Sequence, residues 1–441
     1  MRAALAALAV AAGAVIAALS LGPGYPGYDA AWALVWGGQL AGGALPDYQA
    51  PFAPTPHPLA NLVAVPLSLA ADGGVQGVLV ITYVSFAALL VGLVALGGRW
   101  AGGVAAVVVA SFSVLQREVA FASLDIPYLA LLVWAAALEV RRPRRGAAVQ
   151  VLLVLAGLLR PEAWLLALAY AAWLGRRQAL PLAVAAPVIW AATDLLVTGS
   201  PTYSFTGTRA LAADLGRPTG LHTAIVSAPS SLADLMGTLP LLAGVVGLVA
   251  GLALQPRRFA GPAAVLGIGL LTYALLGVAE LPVLLRYLLV PACVLALVAG
   301  MGAELRLPVA LVIGALLLCA IPSTLGGLRD ARAFTHARRT VHDDLLQLAR
   351  TPAFQRAAAG CPAVYVPDFR ARPLLALTGV TAPVRVANLP DGRPGLLVTY
   401  ANERVRRVFT LGARGEVQRQ AAPAGARPLA RSGTWRAYEV C

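Results

Sequence analysis

The chain has 441 residues, 59% of them hydrophobic and 12% charged, with a formal net charge of +14. Soluble globular domains carry about 25% charged residues, so lipid rather than water is this chain's main solvent. All 34 basic residues are Arg; no compact basic motif with interleaved aromatics accompanies them, which excludes a nucleic-acid-binding protein, and the Arg-only, Ala-rich composition points to GC-rich coding.

Apolar runs of about 20 residues, long enough for a hydrocarbon core of roughly 30 Å, recur along the sequence. The first, 3–21, has no clean small-x-small site before Pro23 and reads as an uncleaved span rather than a signal peptide. Further spans are expected at 75–96, 102–115, 127–138, 147–159, 163–174, 180–197, 239–254, 260–278, 283–301 and 308–321, about eleven in all. Segment 59–70 is apolar but short, and reads as interfacial or re-entrant. With the N-terminus cytoplasmic, the inner loops hold Arg2, Arg99, Arg141, Arg142, Arg144, Arg145, Arg176, Arg177, Arg257, Arg258 and Arg306. The outer ones hold only Arg117, Arg160, Arg209, Arg217 and Arg286. Carboxylates lean outward, with Asp29, Asp47, Asp72, Glu118, Asp125, Glu162 and Asp194 among them. This asymmetry sets the orientation, and an odd number of spans leaves the C-terminal region outside.

The first outer loop, 22–74, is long and patterned, as functional loops are. Tyr28-Asp29 precede a helical stretch, 30–40, in which Trp32, Trp36 and Gln39 fall on neighbouring turns, suited to the membrane interface. Gly42-Gly43 turn the chain into Pro46-Asp47-Tyr48, and Pro51, Pro54, Pro56 and Pro58 hold it extended around His57. Beyond residue 326 the composition changes: after Asp330 there are 17 Arg against 7 Asp plus Glu, so 17 − 7 = +10 of the net charge lies there. An amphipathic helix is expected at 330–359, with strands at 363–366, 384–387, 395–400 and 435–440, forming a small α/β domain over 326–441. Its basic surface suits either solvent or anionic headgroups. Cys293 and Cys319 lie in expected spans, whereas Cys361 and Cys441 bracket the outer domain, where a disulfide between them is permitted.

The loop resembles that of the GT-C type membrane glycosyltransferases, which include protein O-mannosyltransferases, the lipid A aminoarabinose transferase and actinobacterial arabinosyl and mannosyl transferases. The likeness lies in an aspartate after span one, a helix, a Gly turn and the run Pro54-Thr55-Pro56-His57-Pro58. Arg117-Glu118 and Asp125 match a second outer loop that carries a functional carboxylate in many members. Arg160-Pro161-Glu162 matches an Arg-Pro-Glu that opens a span, and Arg286-Tyr287 a late lipid-phosphate-binding Arg. One departure is that Asp29 is followed by Ala30, where many members carry a second acid.

The resemblance implies an α-helical polytopic membrane protein: a transmembrane catalytic domain over 1–325 and an extracytoplasmic domain over 326–441. It implies an inverting hexosyl- or pentosyltransferase that takes sugar from a polyprenyl-phosphate donor to a cell-envelope glycan, lipid or protein. Asp29 is then the base and Asp125 a second catalytic carboxylate that orients substrate. Arg286 is the candidate for the departing phosphate, with Arg160 and Arg117 as alternatives, and Arg suits the task because its fork meets phosphate oxygens in pairs. Tyr28, His57, Glu118, Glu162 and Tyr287 complete the substrate-binding candidates. No cofactor motif is present; Asp29, His57 and Asp125 could share a divalent metal. The plainer readings are that Asp29 and Asp125 cap helices, that Arg160 pairs with Glu162, and that Arg286 snorkels. A transporter or lipid flippase and a non-catalytic assembly protein are the competing functions; a transporter should carry inverted repeats, and none is visible.

Overall fold

The computed structural model describes residues 2–70, 73–144, 146–386, 394–409, 422 and 425–441. Asp72, Arg145 and the last residue of the strand expected at 384–387 lie outside these.

The helices in chain order are α1 (Arg2–Leu21), α2 (Tyr28–Ala41), α3 (Pro58–Ser68), α4 (Val75–Ala110), α5 (Ser113–Ala120), α6 (Asp125–Arg141), α7 (Ala147–Leu159), α8 (Ala163–Leu174) and α9 (Leu180–Thr198). They continue with α10 (Tyr203–Asp214), α11 (Leu221–Met236), α12 (Thr238–Leu254), α13 (Pro256–Val278), α14 (Leu289–Gly302) and α15 (Leu307–Ala349). Every segment expected to span falls largely on one of these helices. By length and composition, five helical stretches among the described residues can cross a membrane, or seven if the bent pairs α5–α6 (114°) and α11–α12 (110°) each count as one. Length alone therefore does not reach eleven. The 13 residues of α7 and the 12 of α8 rise only about 20 Å at 1.5 Å per residue, short of a hydrocarbon core of roughly 30 Å. The spans expected at 75–96 and 102–115 belong mainly to α4, divided where Gly98 leaves helical geometry (φ 79°, ψ −178°).

The bundle is built around α14, which is apolar on every side and buried along most of its length. A helix apolar all round belongs in the centre. Small residues let its neighbours approach: Gly244 and Gly247 of α12 lie on the backbone of Leu295 and Val298. Such close approach is how helices associate where lipid removes the hydrophobic driving force. At the opposite end of α14 from its N-terminus, Glu304 ion-pairs with Arg258 and accepts from Ala101 N (3.1 Å).

The amphipathic helix expected at 330–359 does not start afresh. α15 runs unbroken for 43 residues, about 65 Å, from the bundle into the C-terminal domain, so the composition change at 326 falls inside one helix. It ends at Arg350, where Thr351 accepts from Phe354 N and Pro352 opens α16 (Pro352–Gly360). The domain adds β1 (Val364–Val366), α17 (Ala371–Leu377), β2 (Val384–Val386), β3 (Leu396–Tyr400), α18 (Glu403–Phe409), β4 (Arg427–Ser432) and β5 (Trp435–Glu439). Its sheet order is β2-β1-β3-β5-β4; β1 runs parallel to β2 and β3, and β5 antiparallel to β3 and β4. Strand β4 was not foreseen, because its mostly exposed or half-exposed Arg-Pro-Leu-Ala-Arg-Ser lacks apolar alternation. Cys361, just before β1, is disulfide-bonded to Cys441, just after β5, while Cys293 is buried and Cys319 exposed.

Trp435 is fully buried against α15 and donates to the Val341 carbonyl (2.8 Å). Trp435→Ala should destabilise the C-terminal domain by about 3–5 kcal/mol, seen as faster proteolysis of the domain in denaturant while the bundle stays protected.

Candidate active site

The site forms where three chain connections meet at one end of the bundle. Residues 24–27 form the first. Tyr25 N and Gly27 N donate to the Ala120 and Phe121 carbonyls (3.0 and 2.6 Å), pinning the start of α2 to the end of α5. A side chain at Gly27 would run into Phe121, so glycine is what permits this approach. The link carries Asp29, in the first turn of α2, to the α5–α6 elbow with Glu118 and Asp125. The second connection is α7–α8, where Arg160 ends α7 in extended geometry (φ −145°, ψ 124°). The third is the 3-10 turn Leu285–Leu288 before α14, tied to the loop before α11 by Val283 N donating to the Pro218 carbonyl (2.8 Å). That bond brings Arg217 next to Arg286.

Two ion pairs result. Arg160 Nη2 lies 2.7 Å from Asp125 Oδ1, with both side chains 4% exposed. Ser123 Oγ donates to Asp125 Oδ2 (3.0 Å). Arg286 Nη1 donates to Asp29 Oδ2 (3.2 Å) in a more open setting, at 24% and 19% exposure. Asp29 is not a helix cap: Gly27 holds that position and no side chain caps α2. Arg160 pairs with Asp125 and not with Glu162. Burial by itself would raise the pKa of Asp29, but Arg286, His57, Arg160 and Arg217 more than offset it and hold the carboxyl below its usual range. His57 is pushed down to about 4, first by burial and then by Arg160, so its imidazole is neutral.

Around these pairs, buried polar atoms lack partners: Arg286 Nε, Arg160 Nε, His57 Nδ1, Glu118 Oε2 and Glu162 Oε2. More than nine in ten buried polar groups are normally satisfied. Here five orphans belong to side chains that act electrostatically on one another. An arrangement of that kind suits a polar, partly anionic ligand.

The structure brings together Asp29, His57, Glu118, Asp125, Arg160, Glu162, Arg286 and Tyr287. It does not bring Arg117, whose guanidinium lies over the Phe334 ring (4.9 Å). Tyr28 also turns away: its hydroxyl donates to the Phe52 carbonyl and its ring meets Phe369 edge-on (5.1 Å). Trp32 and Trp36 are buried beside Tyr48. Among the described residues the ligand atoms of Asp29, His57 and Asp125 do not gather into one cluster, and each carboxylate faces a guanidinium. Asp194 accepts from Ser204 N and Oγ (2.7 and 2.8 Å), anchoring α10. Arg217 was missed; its only signal is an Arg-Pro step in a short turn between apolar runs.

No known family profile and no curated protein sequence matches the chain. Solved structures do. ArnT from Cupriavidus metallidurans bound to undecaprenyl phosphate is 13% identical, with a TM-score of 0.60 over 99% of this chain and 98% of that one. The same protein in the apo state gives 0.57 over 100% and 98%, again at 13% identity. The chain has the ArnT fold. The likeness covers bundle and C-terminal domain together, so the two proteins share one architecture, an α-helical bundle with a small C-terminal sheet domain.

Removing one partner of a buried pair leaves an uncompensated charge. Arg160→Met should cost about 3–5 kcal/mol, read as a lower melting temperature in detergent, and adding Asp125→Asn should restore part of the loss.

Proposed function

We propose that this chain is an integral membrane glycosyltransferase that moves a sugar from a polyprenyl-phosphate donor to an acceptor hydroxyl, with inversion, on the extracytoplasmic face. The observation that carries the proposal is the Asp29–Arg286 pair, set among partnerless buried polar atoms in a chain with the ArnT fold.

Arg286 has five N–H donors; Nη1 meets Asp29, and Nε has no partner. A phosphate can take up the free donors and draw the guanidinium from Asp29. Since Arg286 is the foremost charge holding Asp29 low, a phosphate that neutralises it raises the Asp29 pKa and makes Asp29 the stronger base. Donor binding thus arms the carboxylate that the acceptor needs. In the transfer, Asp29 accepts the hydroxyl proton, the acceptor oxygen forms the new bond to C1, and the C1–O bond to phosphate breaks. The electron pair leaves on polyprenyl phosphate, whose charge Arg286 and Arg217 stabilise. Asp125, fixed by Arg160 and Ser123, orients sugar or acceptor hydroxyls.

An apolar groove of about 360 Å³ runs beside this cluster. Ala30, Ser123, Leu124 and Leu159 line it, and they are chain neighbours of Asp29, Asp125 and Arg160. It offers a hydrocarbon chain a path beside the reacting groups, consistent with a lipid-linked substrate. The bent helix pairs are a feature transporters share, but the charges gather at helix ends, which favours transfer chemistry.

Asp29→Asn should express and fold normally yet lose transfer from polyprenyl-phosphate sugars by about 10²-fold or more, in the range for a lost general base. Wild-type rates would remove Asp29 from that role. Arg286→Ala should raise the apparent KM for donor more than that for acceptor, measured by varying each at saturation of the other.

A further inference from the structure

A second cavity, of about 540 Å³, lies apart from Asp29 and Arg286, between α1, α4 and the second half of α15. One wall is apolar, made by Leu19, Val80 and their neighbours where α1 ends and α4 begins. Leu19 is 80% and Val80 58% exposed, as side chains facing lipid are. The other wall carries Arg339, His342, Asp343 and Arg350 of α15. The cavity continues past Arg350 toward Thr351 and Pro352.

The polar wall is incomplete as it stands. His342 is 5% exposed; its ring lies 5.2 Å from that of Tyr25, and it is hydrogen-bonded to Pro26. Proline offers only a carbonyl there, so a ring N–H of His342 donates to it. Its Nδ1 is buried with no partner, which leaves an acceptor waiting for a donor. Arg339 is bound to Asp343 (3.2 Å), an exposed i,i+4 pair of little worth, and Arg350 is exposed. The site therefore combines two guanidinium groups, a buried acceptor and an apolar wall at the level where two membrane helices stop.

We propose that this cavity binds the headgroup of an anionic, hydroxyl-bearing phospholipid. The phosphodiester lies between Arg339 and Arg350, a headgroup hydroxyl donates to His342 Nδ1, and the acyl chains lie along the exposed faces of α1 and α4. Guanidinium groups match phosphate oxygens in charge and geometry, and basic groups at the membrane surface favour anionic lipids. A zwitterionic choline headgroup offers no hydroxyl donor and places a cation beside two guanidinium groups. Neither Arg339 nor Arg350 touches Asp29 or Arg286, so lipid binding and sugar transfer can fail separately.

The test uses the full chain in neutral detergent, with melting temperature and native mass spectrometry as readouts. Phosphatidylglycerol or phosphatidylinositol should raise the melting temperature and remain bound, whereas phosphatidylcholine should do neither. Glycerol 3-phosphate without acyl chains should have no effect; a shift as large as the lipid's would assign the site to free phosphate and overturn the proposal. Arg339→Gln with Arg350→Gln should weaken retention of the anionic lipid by roughly tenfold or more, and His342→Phe should narrow the preference for hydroxylated headgroups. Arg350→Gln alone, on an exposed residue, provides a variant whose fold is not at risk. Equal stabilisation by phosphatidylcholine, or an unchanged anionic preference in the double variant, would contradict the assignment.

Discussion

A charge inside an apolar environment must be paired, neutralised or used, because burial alone costs several kcal/mol per ion. This chain keeps its spans almost free of charge and collects the exceptions where helices end. Asp125 meets Arg160 in a nearly dry pair, and Asp29 meets Arg286 in a wetter one. The difference in exposure separates their roles. The enclosed pair fixes the elbow between α5 and α6, whereas in the proposed reaction the open pair exchanges its partner for an incoming phosphate. Everything else in the bundle serves to bring three distant connections to one point.

The C-terminal domain belongs to the same design. α15 leaves the bundle without a break and becomes the support on which the sheet is built. The turn before α17 then returns to the first loop: Phe369 stacks on Phe52 (5.7 Å) and meets Tyr28 edge-on, while Arg372 donates to the Pro51 carbonyl. Tyr28 is the neighbour of Asp29, so the domain steadies the backbone that presents the Asp29 carboxylate. Phe52 adopts a positive φ of 61°, a conformation a bulky residue holds only when its surroundings impose it.

The sequence marks Asp29, Asp125, Arg160 and Arg286 because each is a charge against an apolar background, where hydropathy contrast is strongest. Contrast does not reveal direction. Arg117 and Glu118 are adjacent on α5, and helical geometry turns adjacent side chains about 100° apart, so Glu118 enters the cluster and Arg117 goes to Phe334. Arg217 sits in an ordinary polar turn, and only the distant bond between Val283 and Pro218 gives it significance. The sheet shows the same limit: buried β1 and β3 read clearly as apolar runs, while the Arg-rich β4 depends on pairing with β5.

The central claim is that Arg286 and its surroundings receive a lipid-linked phosphate. Native mass spectrometry of the purified wild-type chain, offered polyprenyl monophosphate and nucleotide sugars together, tests this most directly. The account predicts that polyprenyl monophosphate is retained and that excess inorganic phosphate does not displace it. Retention of a nucleotide sugar with no polyprenyl phosphate bound would contradict it.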